Sequence, residues 1–436
     1  MIDWQIPPAM LRWVREVPRD RPVAVLLRHS VRPSPLPDDG FAVPITGDGV
    51  RIARDLGGML ASNLRSLHAS PLVRCVQTAE ALQAGASVDL AIEQDRLLGD
   101  SGVYVVDNRV AWPSWQQLGH EGVMAHLVSK DEPLPGMASP APAARFLVHH
   151  MLSAAAARPG FHLFVTHDSL VTATAARMLG EPLGKADWPW YLEGAFFWSE
   201  GREICVAYRD SRRACWKGPL CAFDKADVIE FARREVGRTV GLASRARFFL
   251  AGGAFKTLLT GRPPRDLDLW APSETDRQML VATLLERGAR PLDKQPYSDA
   301  FEIRGRIVEV PHKAEPSTLA ERIARFDIGL SCVGVEHRPG DQWDAITHPL
   351  APESVDRREV LLIKPLVNWR HSLATLERSR QYAVELGYAV PEEEVAEVWR
   401  VFESQTAEMQ AGMIERFDRT SRGGFGVREE AVRRRR

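Results

Sequence analysis

Short aliphatic runs alternate with amphipathic stretches through the first half of the chain. Residues 23–27 and 161–166 are apolar runs typical of buried strands, and charged or histidine residues follow each of them. Residues 48–66, 72–82 and 170–179 carry their apolar positions at helical spacing. Alternating strands and helices predict an α/β sheet covered by helices, with functional residues at the carboxyl ends of its strands.

The second half begins with a different order of elements. A helical pattern over residues 224–240 leads into an apolar strand at 248–251, and residues 361–386 and 392–417 again read as helices. The sequence Lys217-Gly218-Pro219 is the predicted domain boundary. The predicted domains are residues 1–217, residues 224–348, a helical extension over 349–418 and a disordered basic tail over 419–436.

Composition restricts the functional classes only moderately. Apolar residues make up 45% and charged residues 26% of the 436 positions, and the formal net charge is −1, so overall charge indicates no nucleic-acid partner. The five cysteines show no metal-ligand spacing. No signal-peptide pattern and no membrane-spanning apolar run is present, so we expect a cytoplasmic protein without a membrane partner.

Four short segments near the N-terminus combine arginine and histidine in a way suited to phosphate chemistry. They are residues 27–32, 45–49, 70–79 and 165–168. In this order they resemble the histidine phosphatase superfamily. The resemblance implies a three-layer α/β domain that hydrolyses small phosphate esters through a phosphohistidine and needs no cofactor. It implies one nucleophile, His29, and a phosphoryl clamp consisting of Arg28, Arg32, Arg74 and His167.

The proton donor of this first site has two candidates. Asp168, directly after His167, matches the acid-phosphatase-like branch, whereas Asp100 lies where the mutase-like branch carries its acid. We favour Asp168. The chain also departs from the family by having Ser30 where glycine usually follows the catalytic histidine.

A second phosphate-handling pattern begins at Gly252-Gly253, directly after the apolar strand. Glycines allow a backbone to approach phosphates closely. Asp266 and Asp268 alternate with leucines, and residues i and i+2 of a strand point to the same side, so both carboxylates can bind the same pair of metal ions.

These residues, with Lys256, resemble the nucleotidyltransferase domain of the poly(A) polymerase and tRNA CCA-adding family. The resemblance implies an α+β core, a nucleoside triphosphate substrate bound near Gly252, Gly253 and Lys256, Mg²⁺ ions on Asp266 and Asp268, and a tRNA-like RNA acceptor. A third carboxylate from a neighbouring strand is implied as well; we favour Glu309 over Glu302 because it follows an Arg-Gly-Arg turn. The family's base-selecting acid-and-arginine motif is missing, with residues 371–375 in its place.

The sequence thus predicts a bifunctional enzyme, a phosphatase fused to a magnesium-dependent nucleotidyltransferase, with RNA-end processing as the hypothesis that joins them. Two alternatives stay open: transfer to a protein or small molecule, and a phosphatase regulated by a non-catalytic nucleotide-binding half. Sequence alone sets neither the substrates nor the oligomeric state.

Overall fold

The computed structural model describes residues 4–33, 42–99, 101–156, 158–201, 203–216, 223–293, 297–312, 318–421 and 423–435. The chain divides into two compact units, Met1–Leu220 with Thr260–Pro263, and Cys221–Leu259 with Pro264–Arg436. The predicted boundary at Lys217-Gly218-Pro219 lies outside the described residues. Within the described ranges, no helix is long and apolar enough to cross a membrane.

The first unit is one seven-stranded sheet with helices on both faces. Its strands are β1 (Pro22–Arg28), β2 (Leu64–Ala69), β3 (Ile92–Gln94), β4 (Gly160–Thr166), β5 (Gly194–Glu200), β6 (Glu203–Tyr208) and β7 (Ser211–Trp216). Its helices are α1 (Pro8–Glu16), α2 (Gly47–Leu60), α3 (Val73–Ala86), α4 (Asn108–Ser129), α5 (Pro140–Ala155) and α6 (Asp168–Leu179). The strand order is β3-β2-β4-β1-β5-β6-β7. The first four strands in this order are parallel, and β5 to β7 complete the sheet in antiparallel pairs.

Strand β1 explains why this unit has three layers. Its residues 23–27 are all fully buried. Ala24 and Leu26 pack in the core formed with α4, α5 and α6, whereas Val23, Val25 and Leu27 pack in the core formed with α1, α2 and α3. Alternate residues of one strand therefore fill two separate cores, as expected for a central strand covered on both faces. The predicted three-layer α/β fold is confirmed.

Helices α2 and α3 approach each other through glycine. A Cβ built on Gly57 would lie 2.1 Å from the carbonyl oxygen of Leu82, and one on Gly85 would lie 1.9 Å from that of Arg54. Only residues without a side chain allow this distance between the two backbones.

The second unit contains a mixed sheet and a set of C-terminal helices. Its strands are β8 (Phe248–Ala251), β9 (Leu267–Trp270), β10 (Arg290–Pro291), β11 (Ser298–Ile303), β12 (Arg306–Pro311), β13 (Val333–Arg338) and β14 (Gln342–Thr347). Its helices are α7 (Lys225–Arg238), α8 (Thr257–Thr260), α9 (Glu274–Glu286), α10 (Leu319–Ile323), α11 (Leu350–Arg357), α12 (Ser372–Leu386), α13 (Glu392–Glu403), α14 (Ala407–Thr420) and α15 (Val427–Arg434). The strand order is β10-β11-β12-β9-β8-β13-β14, and β12 pairs with β9 in parallel while the other pairs are antiparallel.

The C-terminal helices differ from the sequence prediction in three places. Helix α12 begins only at Ser372, because Pro365 disfavours helix in the residue before it and the segment from there to Ser372 consists of bends, turns and a short 3-10 helix at Trp369–His371. The predicted helix over 392–417 is two helices, since Thr406 caps the start of α14 by accepting a hydrogen bond from the Met409 amide. Within the predicted disordered tail, α15 forms because its apolar residues Val427 and Ala431 are buried.

Candidate active sites

Three neighbouring parallel strands of the first unit carry the predicted phosphatase residues at one edge of the sheet. Arg28 ends β1 and His29 follows it, while His167 and Asp168 follow β4. Arg74 lies in the first turn of α3, which follows β2. Because the order is β2-β4-β1 and the three strands are parallel, their carboxyl ends lie side by side.

His29 is held in one orientation and one tautomer. It is 3% exposed, and its Nδ1 lies 2.8 Å from the carbonyl oxygen of Ser30, which can only accept a hydrogen bond. Nε2 is then the unprotonated nitrogen, and it accepts from Arg74 Nε at 3.2 Å. Burial, followed by the neighbouring His167, Arg28 and Arg74, lowers the pKa of His29 well below its usual value. The imidazole is therefore neutral with a lone pair on Nε2, the state that a nucleophile needs.

Arg74 also contacts the second histidine of the site. Its Nη2 lies 3.3 Å from His167 Nδ1, and His167 Nε2 lies 3.3 Å from Ser70 Oγ. The rings of His29 and His167 are 5.6 Å apart, centroid to centroid. Burial and then the Arg74 charge lower the pKa of His167 to about 3. Two neutral imidazoles thus flank one guanidinium, an arrangement that favours a bound anion.

Arg28 and Asp168 form an ion pair beside these histidines. Arg28 Nη2 lies 3.1 Å from Asp168 Oδ2, Nη1 donates to the Pro189 carbonyl at 2.6 Å, and the guanidinium stacks on Tyr191 at 4.3 Å. Burial alone would raise the pKa of Asp168, but Arg28, His120 and His167 together bring it below its usual value. Asp168 is therefore ionised in the ligand-free protein.

The structure brings five of the predicted residues together, namely Arg28, His29, Arg74, His167 and Asp168. Arg32 donates to the carbonyl of its neighbour Pro33 at 3.1 Å, although its charge contributes to the lowered pKa of His167. The alternative proton donor, Asp100, lies outside the described residues. Ser30, which replaces the family's glycine, is fully buried and donates from Oγ to the Gly49 carbonyl at 2.7 Å. This serine therefore connects the start of α2 to the loop after β1.

His120 is a further member of this site that no sequence motif indicated. Its Nε2 lies 3.9 Å from Asp168 Oδ1, and its ring contacts Trp188 edge-on at 5.4 Å. It follows Gly119, whose φ of +66° interrupts α4. A glycine in the middle of a helical pattern was the available signal, but it does not indicate which distant residue the next side chain meets.

In the second unit, the glycine pair lies where the sequence predicted it, at the end of β8. Gly252 has a φ of +105°, a conformation that favours glycine, and a Cβ there would lie 3.5 Å from the Phe326 ring and 3.9 Å from Asp268 Oδ2. A Cβ on Gly253 would lie 2.6 Å from the Tyr382 hydroxyl. Lys256 pairs with Glu385, and its Nζ lies 3.5 Å from the centre of the Tyr382 ring.

The acidic residues lie on two adjacent strands. Asp268 is in β9, and the parallel pairing places Glu309 of β12 opposite it. Asp266, two residues earlier, accepts from Arg265 Nε at 2.8 Å. The competing candidate, Glu302, lies on β11 and pairs with exposed Arg290. The backbone register thus brings Glu309, and not Glu302, next to the aspartates.

Electrostatics marks Asp268 as the centre of this acidic group. Burial, then Asp266 and Glu309, raise its pKa to about 7, while Arg265 and Arg378 act in the opposite direction. A half-buried carboxyl with two acidic neighbours and oxygen-only donors is chemically suited to a divalent cation. Among the described residues, however, no three His, Cys, Asp or Glu side chains are grouped closely enough to hold a metal. In this arrangement Asp266 accepts a hydrogen bond from Arg265, and Glu309 accepts one from Ser298 Oγ at 3.0 Å.

Comparison with known proteins identifies the first unit. Residues 25–192 match the family model of the histidine phosphatase superfamily (branch 1), and this segment is a histidine phosphatase domain. No protein among the curated sequences compared matches the chain.

Similar solved structures share low identity with this chain. A tRNA-processing enzyme in an apo form is 16% identical with a TM-score of 0.35, and the match covers 48% of this chain and 56% of that one. A Thermotoga maritima CCA-adding enzyme complexed with tRNA is 11% identical with a TM-score of 0.35, covering 48% and 52%. A phosphoserine phosphatase mutant from Entamoeba histolytica, in complex with phosphoserine, is 12% identical with a TM-score of 0.33, covering 43% and 96%. This chain thus spans about half the length of the first two.

Proposed function

We propose that the chain is a bifunctional enzyme. Its histidine phosphatase domain would hydrolyse phosphomonoesters through a phosphohistidine on His29. Its second unit would transfer a nucleotidyl group from a nucleoside triphosphate to a 3′-hydroxyl of RNA or of a nucleotide, with Mg²⁺.

One observation carries the phosphatase proposal: the neutral, singly protonated His29 with Nε2 next to Arg74. Nε2 attacks phosphorus while the bond to the leaving oxygen breaks, and Arg28, Arg74 and His167 hold the non-bridging oxygens. A dianionic substrate offsets the charge of Arg28, so the pKa of Asp168 rises and its carboxyl can carry the proton for the leaving oxygen. Water then attacks the phosphohistidine and gives its proton to the Asp168 carboxylate, which restores neutral His29.

A phosphoenzyme measurement tests this proposal. The protein is mixed with ³²P-labelled phosphoserine, denatured, and assayed for protein-bound label that is stable in alkali and lost in acid, as expected for a phosphohistidine. We expect label in the wild type and in the matched control His126→Ala, whose histidine contacts the Glu132 carbonyl and not the residues of this site, and none in His29→Ala. Label retained in His29→Ala would contradict the assignment. Asp168→Asn and Asp100→Asn, run together, identify the proton donor by which variant loses turnover.

The nucleotidyl-transfer proposal rests on the raised pKa of Asp268 between Asp266 and Glu309. These three carboxylates would hold Mg²⁺ only after Asp266 releases Arg265 and Glu309 releases Ser298; the bound ion would supply charge neutralisation on the triphosphate and activation of the attacking hydroxyl. Gly252 and Gly253 leave their backbone open to the phosphates, and Lys256 would exchange Glu385 for a phosphate oxygen.

Label transfer tests the second activity. Protein, Mg²⁺, total RNA and each α-labelled nucleoside triphosphate are incubated in turn, with Asp268→Asn as the test variant and Glu302→Gln as its matched control. Label in RNA that only Asp268→Asn abolishes supports the proposal. Label in protein or in a small hydroxyl compound would instead identify that class of molecule as the acceptor. No label, with nucleotide-dependent change in phosphate release, would instead support a regulatory nucleotide-binding half.

A further inference from the structure

Two hydrogen-bond donors next to the acidic site are buried without an acceptor. Arg322, on α10, is 8% exposed, and its Nε has no hydrogen-bond partner. The indole Nε1 of Trp270 is also buried and unpartnered. No described residue forms an ion pair with the Arg322 guanidinium, which instead stacks over the Trp270 ring at 3.9 Å. Buried donors normally have partners, so a pair of unsatisfied ones in contact indicates a missing acceptor.

These donors face the same region as Asp268. Trp270 lies two residues beyond Asp268 on β9, so the two side chains share one face of the sheet. Phe326, whose ring is 5.5 Å from the Arg322 guanidinium, also borders the space that a side chain on Gly252 would fill. The stacked guanidinium, the indole and the glycine turn therefore surround the same space as the acidic site.

The charges in this region favour an anion. Burial, then neighbouring Arg325, lower the pKa of Arg322 to about 10, with Asp268 acting in the opposite direction. Burying a guanidinium without an ion pair costs stability, and the Asp268 charge does not outweigh this cost, since the net effect lowers the pKa of Arg322. A bound anion with several acceptor oxygens would pair with Arg322 and accept from Trp270 at once.

We propose that Arg322 and Trp270 form a polyphosphate-binding subsite that takes the triphosphate tail of the nucleotide. The stacking on Trp270 fixes the plane of the guanidinium and leaves its edge for phosphate oxygens. This inference rests on the proposed nucleotidyl transfer, but it concerns binding and needs no turnover.

Calorimetric titration of the full chain with inorganic tripolyphosphate, without Mg²⁺, tests the subsite. We expect the wild type to bind, Arg322→Met to bind at least about tenfold more weakly, and Trp270→Phe, which keeps the ring but loses the N–H, to lose about threefold. Arg400→Met is the matched control, because Arg400 is exposed and pairs with Glu397. It should bind as the wild type does.

Thermal unfolding without ligand separates a binding role from a structural one. Because Arg322 is a buried cation without an ion pair, Arg322→Met should melt no lower than the wild type. Equal tripolyphosphate binding by wild type and Arg322→Met, no binding by the wild type, or a lowered melting temperature of Arg322→Met would each overturn the subsite. Failure of label transfer while Arg322-dependent binding persists would count against the proposed transferase activity alone.

Discussion

Replacing Asp268 with asparagine should stabilise the second unit, by an amount that depends on pH. The pKa of Asp268 is raised from 3.8 to about 7 in the folded chain. Each pKa unit corresponds to about 1.4 kcal/mol, so the ionised carboxylate disfavours folding by about 4 kcal/mol. Asparagine has nearly the same shape and never ionises, so it removes this cost.

The sign of the pH dependence follows from the raised pKa. Near pH 4 and below, Asp268 is protonated in the folded state. The pH is then at or below the pKa of Asp268 in the unfolded chain, so wild type and Asp268→Asn should have similar stability. Between pH 4 and 7 the wild type loses stability relative to the variant, and above pH 7 the difference stays constant. For a unit of this size, about 4 kcal/mol corresponds to roughly 8–16 °C in melting temperature at pH 8.

Differential scanning calorimetry of the full chain between pH 5 and 8 measures this difference. Glu302→Gln is the control, because Glu302 lies on β11, which pairs with β12 and not with the strand of Asp268. This control should show no gain in melting temperature. Added Mg²⁺ should raise the melting temperature of the wild type at pH 8 but not that of Asp268→Asn. An Asp268→Asn variant that melts below the wild type at pH 8, or a difference that does not change with pH, would refute the reasoning.

Three further changes concern the first unit. Arg28→Met should move the basic limb of the pH profile of kcat/KM for phosphate release to higher pH, because Asp168, the proton donor, loses the cation that lowers its pKa; an unmoved limb would assign it to another group. His120→Gln should slow hydrolysis of an alkyl phosphate about tenfold but spare p-nitrophenyl phosphate, whose leaving group needs no proton; equal effects on both substrates would exclude a role in proton transfer. Gly57→Ala should cost about 2–3 kcal/mol of unfolding free energy, since its Cβ would meet a carbonyl of α3 at 2.1 Å, whereas Gly58→Ala, at 3.5 Å from the nearest such atom, should be tolerated; similar stability of the two variants in urea unfolding would contradict this.

The sequence predicted those parts of the sites that depend on local pattern. An aliphatic run followed by Arg28-His29 marks both a buried strand and its functional end, and the Asp266-Leu-Asp268 alternation marks a strand with one acidic face. Helix boundaries were less predictable, because apolar runs such as residues 360–363 fit strand or helix equally well. In the structure Leu362 pairs with Ile328 in an isolated bridge, a contact that no local pattern encodes.

His120 and Arg322 show where sequence reasoning stops. Each matters through a residue far away in the chain, Asp168 for the first and Trp270 for the second. Neither belongs to a motif, and both have ordinary sequence surroundings. The significance of His120 comes from its contact with Asp168, and that of Arg322 comes from its burial with an unsatisfied donor; only a three-dimensional structure provides either observation.

The position of β4 has a consequence for the time course of synthesis. Val165 of β4 pairs with Leu27 of β1 on one side and with Ala69 of β2 on the other, so β1 and β2 are joined only through it. A ribosome must therefore release nearly 170 residues before β1, which precedes His29, and β2, which precedes the helix that carries Arg74, can be joined. Until then β1 and β2 have unpaired edges, the state in which nascent chains associate wrongly. Phosphatase activity can therefore report that the central, non-local strand pairing of a newly made chain is complete.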